Sequence, residues 1–353
     1  VTGVQTCALP ILGISFFHDI DKVVSRVSNG ERPLVVGEPP EVFIEKGPRV
    51  LTTPAGLAYL KITEGCNNRC SYCAIPSIRG NLRSRPRTEI VQEARELANQ
   101  GVSELVVIGQ DTAVYGKDLC GIPDLPQLLR EMSAVEGLEW IRLMYLHPAH
   151  IDGQLIDEIA TNSKVLAYLD IPIQHAADPV LKAMNRKHDY RLLQRLITDL
   201  RAQVSGLVLR TTVMLGFPGE RESDFRFLRD FIQETEFDWL GAFTFTPEEG
   251  TPAFAMPNQV PEDIKQERRD QVMRIQQDIT RRKNMDRVDR VEKILISTQA
   301  AKNLYLGRGY FQAPDVDGLT MVKSETKLRK GQFINVHLQG IRNYDMIGEP
   351  FDE

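Results

Sequence analysis

Apolar and polar positions alternate along this chain with two different periods, and the change between them divides it. Residues 12–50 carry little of either. A short helical stretch runs from Ile20 to Val27, Asn29-Gly30 stops it, and prolines 33, 39, 40 and 48 mark an extended connector. From Leu57 onward short apolar runs alternate with amphipathic stretches. Leu57 to Ile62, Glu104 to Ile108, Trp140 to Tyr145, Val165 to Ile171, Leu207 to Met214 and Trp239 to Phe245 predict six strands. Between them, Ile90, Val91, Ala94, Leu97 and Ala98 recur at helical spacing after Pro86, as do Leu193, Leu196, Ile197 and Leu200. Leu125 to Val135, Asp152 to Thr161 and Ser223 to Thr235 predict further helices.

Strands alternating with helices predict an α/β fold with a parallel sheet and helices outside. Right-handed crossovers would curl such a sheet into a complete or partial barrel, a (β/α)6 variant of the TIM type, with chemistry at the C-terminal strand ends. Pro261 to Arg290 predicts a charged amphipathic helix, whose Arg281-Arg282-Lys283 run reads as a solvated face. Beyond Glu292 the period changes again. Ile294 to Ser297, Leu304 to Phe311, Leu319 to Val322, Gln332 to Leu338 and Asp345 to Ile347 predict five short strands, with an Asp317-Gly318 turn before the third. They suggest a small closed all-β barrel. The expected division is therefore 1–50, 51–290 and 291–353.

Composition narrows the class. Apolar content of 42% and charged content of 26% are those of a globular protein. No apolar run approaches the roughly 18 residues of a membrane span, so no membrane partner is expected. Five cysteines, an odd number and mostly bunched, do not form a secreted disulfide framework, and a reducing cytoplasm is expected. A net charge of −5 argues against a dedicated nucleic-acid binder. Val1 to Ile11 fits no period and reads as a foreign or truncated end, which leaves Cys7 an unreliable ligand.

Candidate chemistry centres on Cys66, Cys70 and Cys73, a C-x3-C-x2-C triplet directly after the first predicted strand. Three thiolates on one loop hold three irons of a four-iron cluster and leave the fourth open. A structural zinc would need a fourth ligand nearby. Inert thiols would prefer apolar surroundings to a loop of Asn, Arg and Ser. The other strand ends supply partners for the open iron's ligand. Gly109 permits close backbone approach, and Gln110 and Asp111 suit an ammonium group or hydroxyls. Gln174 suits a ribose, Arg210 a carboxylate. Gly216 opens a Gly-Phe-Pro-Gly-Glu turn where adenine could meet exposed backbone. Tyr72 could shield the cluster or pack on a base. His147 and His175 share the same mouth, and Cys120 is a bystander.

These residues resemble the radical S-adenosylmethionine superfamily. More narrowly, Tyr59-Leu60-Lys61-Ile62 through Arg79-Gly80, and Arg83-Ser84-Arg85-Pro86, resemble its methylthiotransferases. Ile108 to Thr112 with Tyr115-Gly116, Tyr168 to His175, and Leu215 to Glu220 with Glu249-Gly250-Thr251 are similar to the RimO branch. That branch methylthiolates an aspartate of ribosomal protein S-twelve. The tRNA branch usually carries Asn where this chain has Asp111. Gly307-Arg308 and Tyr344-Asp345 before Ile347-Gly348 are similar to the TRAM module.

The resemblance implies a [4Fe-4S] cluster on the three cysteines, S-adenosyl-L-methionine on the open iron, and a deoxyadenosyl radical that takes hydrogen from the aspartate β-carbon. It also implies an electron donor such as flavodoxin or ferredoxin, and the small ribosomal subunit or its S-twelve protein as partner. It makes residues 1–50 a remnant of the N-terminal methylthiotransferase domain plus a linker. The family holds a second, auxiliary [4Fe-4S] cluster with three cysteines of that domain, most of which this sequence lacks. The chain alone is therefore expected to be impaired in sulfur insertion. From Glu292 to Glu353, eight Lys and Arg face eight Asp and Glu, so the last module has no basic excess for gripping RNA. A basic ribosomal protein fits such a surface better than tRNA. A tRNA adenosine methylthiotransferase and a non-catalytic Fe–S or zinc binding protein are the alternatives.

Overall fold

The structure, a computed structural model, describes residues 9–38 and 49–351. Cys7 and prolines 39, 40 and 48 lie outside the described residues.

Six strands lie side by side in chain order, all parallel: β1 (Leu57–Lys61), β2 (Glu104–Ile108), β3 (Trp140–Leu143), β4 (Val165–Asp170), β5 (Val208–Leu215) and β6 (Trp239–Thr244). Because β1 and β6 do not pair, the barrel is partial. The connections carry helices α1 (Arg87–Asn99), α2 (Leu125–Ser133), α3 (Gly153–Thr161), α4 (Tyr190–Gln203) and α5 (Glu222–Thr235). Asp152 and Asp189 cap α3 and α4 by accepting the backbone N–H groups of Leu155 and Leu192. Side-chain alternation then sorts the strands' two faces. Ala58, Leu60, Leu105, Val107, Ile141, Leu143, Leu209 and Val213 pack with the helices in the larger core. Leu57, Val106, Trp140, Leu166, Tyr168, Val208 and Trp239 point the other way.

What those inward residues meet is the second β unit. After α6 (Glu262–Met285), strands β7 (Val291–Ala301), β8 (Leu304–Arg308), β9 (Thr320–Lys323), β10 (Phe333–Arg342) and β11 (Asp345–Pro350) close a barrel in the order β7-β8-β9-β11-β10. Its Ile294, Phe311, Ala313 and Val336 belong to the same core cluster as Trp140, Tyr168 and Trp239. The Trp239 indole N–H donates to Phe311 O at 2.7 Å. Charges are buried in this seam too. Glu104 accepts from Arg142 at 2.8 Å and from Arg308 at 2.6 Å, and Arg142 reaches on to Tyr310 O at 2.7 Å. Burial pushes the Glu104 carboxyl up, but the two guanidiniums outweigh it and its pKa is lowered.

Several expectations are corrected. Ile11 is in a strand, since Ile11–Leu12 pairs in parallel with Leu34–Val35 across the helix Ile20–Ser28. Asp317 is more than a turn residue: its side chain is buried, accepting from Tyr168 Oη at 2.6 Å and from Ala313 N at 2.8 Å. The third sheet strand stops at Leu143, because Tyr145 takes a positive φ of 60°.

Burial dominates Asp317 and raises its pKa to about 6, although Arg210 Nε lies 3.4 Å away. An acid whose folded pKa exceeds its unfolded value, about 3.9, contributes stability below the latter and loses it as pH rises toward 6. Asp317→Asn should therefore gain stability relative to the parent between about pH 4 and 6, with no further gain above. Urea midpoints of both proteins across that window test this, and a constant difference would contradict it.

Candidate functional site

A polar loop and the C-terminal strand ends build the site. Beyond β1 the chain forms a short hairpin, Thr63–Glu64 against Arg83–Ser84, that clasps the cysteine loop between its arms. Cys66 N donates to Gly80 O and Cys73 N to Cys70 O, both at 3.1 Å. Gly65 makes the entry turn with φ 75°, where a Cβ would overlap Asn81 O. The far side of the loop is tied to the segment after β4. Ser71 N donates to Met184 O at 3.0 Å, Ser71 Oγ to Ala183 O at 2.8 Å, and Asn185 Nδ2 to Arg69 O at 2.8 Å.

Cys66, Cys70 and Cys73 are half-buried and free, and they open on a cavity of about 350 Å³. Tyr72, Gly109, Gln110, Tyr145, His147, Gln174 and Arg186 share its lining. Burial pushes the Cys66 thiol up to about 11 and raises that of Cys73. Such thiols gain from a bound cation, which stabilises their deprotonated form. Among the described residues the one trio of His, Cys, Asp or Glu with ligand atoms all within 4.8 Å is Asp111, His147 and His150.

The cavity also holds buried polar atoms with no protein partner: Gln110 Oε1, His147 Nε2 and Arg186 Nε. They fit a polar ligand beside the thiols. His147 Nδ1 accepts from Ala149 N at 3.2 Å, which leaves the hydrogen on Nε2. Burial holds its pKa far below the usual imidazole range, so the ring is neutral. Gln174 and Tyr145 both take positive φ, 67° and 60°, at this wall. Gly109 is required on the opposite wall, where a Cβ would overlap Thr63 Oγ1.

Other expected residues stand elsewhere. Asp111 is buried behind the cavity, with its carboxylate engaged by Asn68 Nδ2 at 2.8 Å, His150 Nδ1 at 2.7 Å and His147 N at 3.3 Å. It is occupied in tying the cysteine loop, through Asn68, to the strand ends. Arg210 meets protein carboxylates, Asp170 at 2.9 Å and Asp317 at 3.4 Å, and lines a different cavity. Gly216 offers no exposed backbone: its N–H donates to Glu220 Oε2 at 2.7 Å, and Lys265 methylenes cover it. His175 is fully buried, with Nε2 3.8 Å from Glu220, and its pKa falls to about 3 by burial. Cys120 is exposed in the connection between β2 and α2 and does not line the cavity. Sequence reasoning missed Arg186, Asn68 and Tyr145. Nothing in the Met184-Asn185-Arg186 stretch marks it, because its place beside Cys70 arises from the crossover after β4.

Comparison with known proteins adds a separate line. Residues 60–232 match the radical SAM superfamily, and residues 288–350 match the TRAM domain. The chain is 56% identical over 339 residues to the ribosomal protein uS12 methylthiotransferase RimO of Syntrophomonas wolfei, spanning 96% of this chain and 77% of that one. The protein of the same name from Acetivibrio thermocellus is 44% identical, over 97% of this chain and 78% of its own length. That from Aquifex aeolicus is 46% identical, over 85% and 70%.

Proposed function

From the premise that the chain belongs to the radical S-adenosylmethionine methylthiotransferases of the ribosomal protein uS12 type, we propose the task of each element of the site. The reaction is methylthiolation of the β-carbon of an aspartate in uS12. Cys66, Cys70 and Cys73 hold a [4Fe-4S] cluster, and S-adenosyl-L-methionine occupies the adjoining cavity. Bound there, the pair supplies a low-potential electron and carbon-radical chemistry that side chains lack. The chain's own part is to hold, orient and shield. Gln110 Oε1 accepts from the ligand and His147 Nε2–H donates to it. Gly109 lets the ligand approach the backbone, Tyr72 walls the cysteine loop, and Gln174, its backbone paired with β5, lines the cavity. Asp111 keeps loop and strand ends in register. Arg210 and Gly216 act one layer out, fixing β5 and its turn.

The observation that carries this is three half-buried thiols sharing one cavity with unpartnered polar atoms from the segments after β2, β3 and β4. Domain bounds of 51–290 for the core and 291–353 for the TRAM-like barrel follow the two β units. The partner is uS12, free or in the small ribosomal subunit, in the cytoplasm, with a flavodoxin or ferredoxin as electron donor. A C-terminal module of balanced charge favours a basic protein over tRNA.

Anaerobic reconstitution with iron and sulfide, then reduction with S-adenosylmethionine and uS12, tests the assignment. Release of 5′-deoxyadenosine is expected, with a methylthio group on the uS12 aspartate once the auxiliary-cluster domain is supplied. Tight zinc uptake in place of iron, or salt-sensitive tRNA binding with no change to uS12, would count against it.

A further inference from the structure

We propose that the cavity at the seam between half-barrel and β-barrel receives a basic side chain, lysine or arginine, of the protein substrate. This rests on the uS12 assignment above. The cavity measures about 410 Å³ and shares no lining residue with the one beside the cysteines. Arg210 of β5, Trp239 and Gly241 of β6, Gln276 of α6, and Asp317 and Asp345 of the β-barrel unit form its wall. Two buried acceptors on that wall have no hydrogen-bond partner. Gln276 is 2% exposed, and its Nε2 donates to Phe237 O at 2.8 Å and to Thr280 Oγ1 at 2.9 Å, which fixes the amide and leaves Oε1 free. Asp317 receives Tyr168 and Ala313 on Oδ2, so Oδ1 accepts no hydrogen bond.

Charge selects the occupant. Among the described residues Arg210 is the only cation on this wall, and it is divided between Asp170 at 2.9 Å and Asp317 at 3.4 Å, while Asp345 adds another carboxylate. Burial raises the Asp317 pKa, because one shared guanidinium does not offset the loss of water. An incoming cation makes up the deficit, whereas an anion would meet more carboxylate. Met273 offers apolar surface to the methylene stem of a long basic side chain, and Trp239 and Tyr344 supply rings that attract its charged head. The route out of the cavity also suits a polypeptide. β6 is the end strand of the sheet, paired with β5 alone. Gly241 and Phe243 share one face of it, and Phe243 is exposed. From Trp239 to Thr244 the strand covers about 16 Å toward the mouth, the span of about five extended residues. The anchored basic residue therefore belongs within about five positions of the modified aspartate.

The test is the affinity for labelled uS12, read by fluorescence anisotropy, in the parent chain and in Asp317→Asn and Gly241→Val. The first removes a carboxylate charge at nearly constant shape. The second fills space, since a Cβ at Gly241 would meet its nearest neighbours at 3.4 to 3.8 Å, ordinary contact distances. Both variants are expected to bind uS12 at least about tenfold more weakly. Their circular dichroism, and their cleavage of S-adenosylmethionine in the absence of uS12, should stay at parent values. Lysines and arginines of uS12 within about five residues of the aspartate are also changed to methionine one at a time. One such change should reproduce the loss and add nothing to that of Asp317→Asn, the mark of a shared contact. Parent affinity in either folded variant would overturn the proposal, as would additivity with every uS12 change. A parent chain that binds no uS12 would overturn the uS12 assignment, and this proposal with it.

Discussion

Cys70→Ala is expected to abolish turnover while leaving the fold intact. One lost thiolate leaves two ligands for the metal centre, too few to retain it through reduction. Without the cofactor no side chain in the cavity replaces its chemistry, so the rate falls by more than about 10⁶-fold, the lower end of enzymatic acceleration. The loop should nonetheless keep its shape. Its anchors are backbone groups and polar side chains: Cys66 N to Gly80 O, Ser71 N to Met184 O and Asn185 Nδ2 to Arg69 O. Iron content should drop while circular dichroism and the urea midpoint stay at parent values. Cys120→Ala is the matched control, because that exposed thiol donates only to Gly116 O and Ile122 O. Retained iron and turnover in Cys70→Ala would remove the cysteine triplet from the site.

Glu104→Gln is expected to have the opposite profile, with a large loss of stability and the cysteine loop spared. Glu104, Arg142 and Arg308 are all buried, and the carboxylate is the single negative charge between two guanidiniums. Removing one member of a buried ionic group costs about 3–5 kcal/mol, chiefly through the charges left behind. Against a typical total of about 5–15 kcal/mol this is a severe loss. It also acts on the seam between half-barrel and β-barrel, since Arg308 belongs to β8 and Glu104 to β2. A second change, Arg308→Met, should restore part of the loss, because it removes an uncompensated charge. Denaturant unfolding of the single and double variants reads the coupling. Strict additivity would show that the triad is not one unit. The lowered Glu104 pKa adds a sign: its contribution holds above the ordinary glutamate range and disappears as pH falls through the depressed value.

Much of the fold could be read from periodicity. The six sheet strands and the helices between them stand where apolar spacing predicts, because each buries one face against the next layer and burial imprints its period on the residues. Ends were less legible. The barrel strand expected as Ile294 to Ser297 runs from Val291 to Ala301, since its outer residues are exposed and carry no pattern. The short hairpin that clasps the cysteine loop has two residues per arm, below any periodic signal.

The candidate site divides in the same way. Cys66, Cys70 and Cys73 were legible because their ligands fit on one loop, so local spacing carries the information. Tyr72, Gly109, Gln110 and Gln174 line the cavity with them. Asp111, Arg210 and Gly216 lie at or near the same strand ends, yet their polar groups are taken by Asn68 and two histidines, by Asp170 and Asp317, and by Glu220. Strand position alone cannot distinguish a side chain that meets a ligand from one that meets a neighbour.

By itself the sequence determined the parallel α/β alternation, the switch to a small β-barrel and the thiol triplet, all properties of residues near one another along the chain. Tertiary structure alone decided which polar groups stay unpartnered at the cavity, that Arg186 stands beside Cys70, and that Asp317 of the second unit lies next to Arg210 of the first. Those pairings join residues tens to hundreds of positions apart, and no local period encodes a meeting that exists only once the layers have packed.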